Sequence, residues 1–104
     1  MITVLVQFDL PAPVSLDEAS KTFQQSAPKY VAVPGLIRKY YIRSEDGAVA
    51  GGIYLWESRH AADAVYAGEW LERVTKLYGG PPRITYFDTP VMVDDGQVVV
   101  YNAA

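Results

Sequence analysis

Two segments of this chain stay apolar on both faces when read with the two-residue period of a strand, and such strands belong in the middle of a sheet. In Ile2–Asp9 the even positions Ile2, Val4, Val6 and Phe8 are all apolar, and Leu5 adds an apolar group to the other face. In residues 48–57 the centre Ile53-Tyr54-Leu55-Trp56 is apolar or aromatic on both sides. Around these two strands the remaining segments fall into place.

Pro11 and Pro13 stop the first strand. Ser15 and Glu18 then fit the S-x-x-E capping box, and Leu16, Ala19, Phe23, Ala27 and Tyr30 recur at helical spacing as one apolar stripe. Pro28 is expected to end or kink that helix. Leu36–Arg43 reads as a strand with Arg38, Tyr40 and Ile42 on one face and Ile37, Lys39, Tyr41 and Arg43 on the other. Ser44-Glu45-Asp46-Gly47 makes a hairpin turn into the next strand. Gly51-Gly52 is expected to mark a bulge or a close backbone approach.

Ser58 caps a helical region that runs to Tyr78 and stops at Gly79-Gly80-Pro81-Pro82. Its two halves carry apolar stripes about a third of a turn apart, so a break is expected near Gly68. Arg83–Asp88 is a fourth strand, and residues 91–101 form an extended arm or hairpin. The order β-α-β-β-α-β predicts a single α+β domain over residues 1–104, a ferredoxin-like antiparallel sheet with both helices on one face. The other sheet face needs a second cover, and a face-to-face homodimer supplies it.

Composition agrees with that shortage of cover. Half of the 104 residues are hydrophobic, 12% are aromatic and only 20% are charged, an apolar surplus for so small a core. Nine Lys and Arg against twelve Asp and Glu give a net charge of −3, which disfavours nucleic-acid binding. The longest apolar stretches are a few residues, far below the roughly 20 needed to span a membrane. Met1 leads straight into strand-like sequence without a secretory signal. A cytoplasmic globular protein is the expectation. Without Cys there is no disulfide framework, thiolate nucleophile or cysteine metal site.

The run VPGLIRKYYIRSEDGAVAGGIYLW, the helical Tyr66 and Glu69-Trp70-Leu71-Glu72-Arg73-Val74, and the later FDTPVMVDD resemble the YdhR-type monooxygenases. These belong to the antibiotic-biosynthesis-monooxygenase-like dimeric α+β barrels. The resemblance spans residues 33–95. It implies the same ferredoxin-like fold, a homodimer with a shared barrel, and a pocket between sheet and helices. The family pattern usually has a His in the second helical region with an Arg three residues later. Trp70 stands at the His position here and Arg73 is kept, so the chain departs from the family pattern at the position to which proton transfer or haem ligation would be assigned.

The motifs of common cofactor sites are missing: G-x-G-x-x-G, a P-loop and a G-x-S-x-G elbow do not occur. Asp94-Asp95 lacks calcium-loop spacing, and His60 is the only His. No metal and no cofactor are therefore expected. Cofactor-free oxygenation of a phenol or quinol needs a base, donors for an oxyanion and a dry aromatic pocket. His60 is the candidate base, against an ordinary exposed residue in a first helical turn. Arg73 is the candidate anion holder, against a solvated residue pairing with Glu69. Tyr54, Trp56, Tyr66 and Trp70 are candidate pocket walls, against plain core. Gln7, polar on a central strand, is a candidate ligand contact, against a bond across the sheet or dimer seam. The leading function is a small oxidoreductase acting on an aromatic or quinol-like molecule. The alternatives are a non-catalytic protein that binds a small hydrophobic ligand and, less well supported, a haem-degrading enzyme.

Overall fold

The computed structural model describes residues 1–101. Strands β1 (Ile2–Asp9), β2 (Leu36–Arg43), β3 (Val49–Trp56) and β4 (Arg83–Asp88) form one antiparallel sheet in the order β2-β3-β1-β4. This is the ferredoxin-like arrangement, with the two strands that are apolar on both faces at its centre. Helices α1 (Leu16–Ser26), α2 (Arg59–Asp63) and α3 (Gly68–Tyr78) cover one face. Strands β5 (Val91–Asp94) and β6 (Gln97–Val100) make a separate hairpin. Its turn, Asp95-Gly96, has positive φ at both residues, the geometry that matches strand twist in a two-residue hairpin. No helix among the described residues is long and apolar enough to cross a membrane.

Local chemistry sets the element ends. Ser15 Oγ accepts the Glu18 N–H at 3.1 Å, and Ser58 Oγ accepts the Ala61 N–H at 3.1 Å. Gly79, in the left-handed region at φ 82°, ends α3 by donating its N–H to Thr75 O at 3.0 Å. The expected break near Gly68 is present, since α2 ends at Asp63 and α3 opens at Gly68. Pro28 cannot donate to a preceding carbonyl, so α1 gives way to a tighter 3-10 turn, Ala27–Tyr30. Leu16, first in the expected stripe of α1, stays exposed.

Register assigns the faces. Val4, Val6 and Phe8 of β1 point toward the helices together with Tyr54 and Trp56 of β3, and Ala62, Tyr66, Trp70 and Val74 close over them. Trp56 is 0% exposed, and a large aromatic so enclosed contributes about 3 kcal/mol by area alone. Gln7, Ile53, Leu55 and Tyr40 belong to the opposite, open face, against whose edge β5 stands beside Thr3 and Arg38. The bulge falls in β2 between Leu36 and Arg38 and not at the glycines of β3. Gly51 is instead a close approach, because a Cβ there would fall on the Val6 carbonyl oxygen.

Candidate functional site

Between the sheet and the helices lies a cavity of about 190 Å³, whose walls include Phe8, Tyr30, Tyr41, Tyr54, Trp70 and Tyr78. An apolar cavity of about 150 Å³ is enough to hold benzene, so this one accommodates about one substituted ring. The Tyr54 side chain comes from the centre of β3, Trp70 from the first turns of α3, and Tyr30 from the 3-10 turn that Pro28 imposes. Trp70 Nε1 donates to the Tyr30 hydroxyl at 3.0 Å, fixing the rim. Arg73 Nη2 reaches the same hydroxyl at 3.5 Å.

The centre of the site is a lysine. Lys39 lies opposite Tyr54 in the β2–β3 register, on the helix-facing side. Its Nζ sits 3.4 Å from the ring centroid of Tyr30, 3.8 Å from that of Tyr41 and 4.6 Å from that of Tyr54. Cation–π attraction of this kind favours the ammonium, and removal from water opposes it. Burial first, and the neighbouring Arg73 charge second, bring the Lys39 pKa down to about 7. Gly52 makes room for the lysine stem, since a Cβ there would lie 3.0 Å from Lys39 Cε and 3.1 Å from Tyr54 Cε1.

Three of the cavity's phenols, Tyr54, Tyr41 and Tyr78, stay protonated. Burial, followed by Tyr30 and Tyr66 nearby, drives the Tyr54 pKa far up. Burial raises Tyr41 despite its 2.8 Å bond to Ser26 Oγ, and raises Tyr78 to about 12. At neutral pH Lys39 is poised to gain or lose a proton within the cavity.

The seven residues singled out in the sequence separate into three sets. Tyr54, Trp70 and Arg73 come together on the cavity. Trp56 and Tyr66 lie behind it: Trp56 Nε1 donates to the Tyr66 hydroxyl at 2.9 Å, and the Tyr66 ring meets Tyr54, Trp56 and Trp70 edge-on. They support the wall without lining it. His60 and Gln7 are elsewhere. His60 is exposed on α2, where the Ser58 cap turns the first helical residues to solvent, and it does not line the cavity. Gln7 faces the open side of the sheet because the odd positions of β1 point away from the helices. Arg73 makes no ion pair with Glu69 among the described residues. Those residues also contain no cluster of three His, Cys, Asp or Glu side chains. Lys39, Tyr30 and Tyr41 were not singled out by the sequence. Their signals were the shared face of Lys39 and Tyr41 and the glycine beside Tyr54.

The family described as "Putative mono-oxygenase ydhR" matches residues 5–80. The chain belongs to that family. The family match takes in β1 and α1 and ends before β4, so it begins and ends earlier than the span expected from sequence. No curated protein matches the chain.

Among solved structures, this YdhR-family chain is similar to the monooxygenase from the gene ActVA-Orf6 of Streptomyces coelicolor in complex with nanaomycin D. That likeness has 19% identity, covers 85% of this chain and 86% of the other, and has a TM-score of 0.61. It is also similar to SnoaB, a cofactor-independent oxygenase from Streptomyces nogalater, with 20% identity, 85% and 91% coverage and a TM-score of 0.61. Rv0793 from Mycobacterium tuberculosis resembles it at 17% identity, 85% and 93% coverage and a TM-score of 0.62. At these identities the likeness is one of fold.

Proposed function

We propose that this chain is a cofactor-independent monooxygenase that oxidises a small phenol or quinol in the cavity between sheet and helices. The observation that carries the reading is Lys39, held among Tyr30, Tyr41 and Tyr54 beside Arg73, with a pKa near 7. A general base works best when its pKa lies near the operating pH. His60, the base expected from sequence, is replaced in this role by Lys39.

Lys39 in its neutral form accepts the phenolic proton, and the resulting ammonium and the Arg73 guanidinium hold the phenolate. The phenolate passes one electron to dioxygen, and the radical pair recombines to form a carbon–oxygen bond. The hydroperoxide then loses water: its O–O bond breaks, the ring carbon gives up its proton, and a quinone forms. For a phenol with an open para position, phenol and O₂ give quinone and H₂O. The substrate supplies all four electrons. Tyr54, Trp70 and Tyr30 keep bulk water from the ring.

The working unit in this reading is a homodimer joined across the open face. Val93 and Val98 of the hairpin are 73% and 70% exposed, and Tyr40 and Phe87 present half-exposed rings on the same side of the sheet. A second copy would cover them.

Oxygen uptake on a panel of phenols and hydroquinones tests the reaction. The wild type is expected to consume oxygen, with kcat/KM falling as pH drops below about 7 and Lys39 becomes protonated. Lys39→Met is expected to lose roughly 10²- to 10⁴-fold. No turnover by the pure protein, or full activity in the Met variant, overturns the reading. One observation favours a second reading, a binding protein without chemistry: Trp70 forms cavity wall where the family resemblance leads one to expect a titrating His. Tight binding of a phenol with no oxygen consumed would establish that reading instead.

A further inference from the structure

The charges lining the cavity are one-sided. The chain as a whole is acidic, with twelve Asp and Glu against nine Lys and Arg. Yet Lys29, Lys39 and Arg73 line the cavity, and no Asp or Glu does so among the described residues. Two of these cations flank a single ring. Lys39 Nζ lies over the face of Tyr30 at 3.4 Å, while Arg73 Nη2 is 3.5 Å from its hydroxyl.

Like charges placed so close oppose each other, and Arg73 is one of the causes that lower the Lys39 pKa. An exposed arginine ordinarily finds a carboxylate on its own helix, but Glu69, four residues earlier, does not pair with Arg73. The guanidinium gives one N–H to the Tyr30 hydroxyl and stands at the cavity edge, a fork suited to a planar carboxylate. A neutral phenol would answer Lys39 and leave Arg73 and Lys29 without a counter-charge.

We infer that the cavity's substrate is a hydroxyaromatic acid, whose phenol meets Lys39 and whose permanent negative charge pairs with Arg73 at the mouth, with Lys29 adding to the field. The aromatic walls suit one ring and the cations require an anion on it. The inference rests on the proposed reading of this cavity as the substrate site, and it adds the class of molecule that enters.

Calorimetric titration with 3-hydroxybenzoate and with its methyl ester tests it, because the two share ring, phenol and open para position and differ in the charge. The acid is expected to bind about tenfold more tightly than the ester. Arg73→Gln should remove most of that preference and Arg73→Lys should restore part of it, since a point charge replaces the fork. Lys21→Met, which removes an exposed charge of α1 away from the cavity, should keep the preference. Equal affinities, a preference that survives R73Q, an equal loss in K21M, or no binding of the acid at millimolar concentration would each overturn the inference.

The same two probes in an oxygen electrode separate its failure from that of the proposed reaction. Turnover of the ester with no advantage for the acid removes the anion requirement and leaves the oxygenase. Preferential binding of the acid without oxygen uptake removes the oxygenase and leaves the anion site.

Discussion

Replacing Lys39 with Met should make this protein more stable, and by an amount that depends on pH. The lysine has a pKa of about 7 in the folded chain against a reference of 10.5. Folding therefore opposes its protonation. Below about 7 both folded and unfolded forms carry the proton, and the full cost of burying the charge is present. Between about 7 and 10.5 only the unfolded chain holds the proton, so stability rises with pH by up to about 1.4 kcal/mol per unit. Above 10.5 both forms are neutral and the cost is gone. From pH 7 to pH 9 the wild type should gain about 2 kcal/mol from this group alone.

The Met side chain keeps the aliphatic contacts with the three tyrosines and carries no proton. Urea denaturation of the two proteins at pH 6, 7, 8 and 9 gives the difference directly, with all other titrating groups cancelling. Tyrosines raised by burial do not ionise in that window. The expected result is a Met variant that is more stable at pH 6 and 7, with the gap shrinking by about 2 kcal/mol by pH 9. A gap that stays flat across the series would refute the claim that Lys39 is desolvated.

Further expectations attach to the shell around this lysine. Gly52→Ala should still fold, because the added Cβ meets the flexible Lys39 stem and the Tyr54 ring edge. It should cost about 1–3 kcal/mol in denaturation experiments and weaken phenol binding. Tyr66→Phe removes the acceptor of the buried Trp56 N–H, for an expected loss of about 1–3 kcal/mol and a shift in tryptophan emission. His60→Ala should leave oxygen uptake unaltered, since the imidazole is exposed on α2 outside the cavity. Light scattering at micromolar concentration should give twice the 11.5 kDa of one chain, and a stable monomer would remove the proposed cover of the open face.

Much of the frame was legible in the sequence because its signals are local. The Ser58 cap, the Gly47 turn, the stripe shift at Gly68 and the two strands apolar on both faces each report on a few neighbouring residues, and together they set the order of elements. The alternation of β2 correctly separated Lys39 and Tyr41 from Arg38 and Tyr40. The site was less legible because it depends on which face receives the helices and on what stands across the strand. Gln7 is polar on a central strand, as read, but its parity turns it away from the cavity. Trp56 gives its N–H to the Tyr66 hydroxyl, and neither side chain reaches the cavity. In sequence Lys39 is one member of a strand face shared with Ile37, Tyr41 and Arg43. Only the pairing with Tyr54, the void at Gly52 and the reach of Tyr30 from a Pro-ended helix make it a half-buried cation.

The most direct test is to titrate the lysines themselves. With ¹³C at the ε carbon, NMR follows Lys21, Lys29, Lys39 and Lys76 one by one through the pH range. One resonance, lost in K39M, should titrate with a midpoint near 7. A Lys39 midpoint near the ordinary 10.5 would show that it is a surface ammonium and that this cavity has no base.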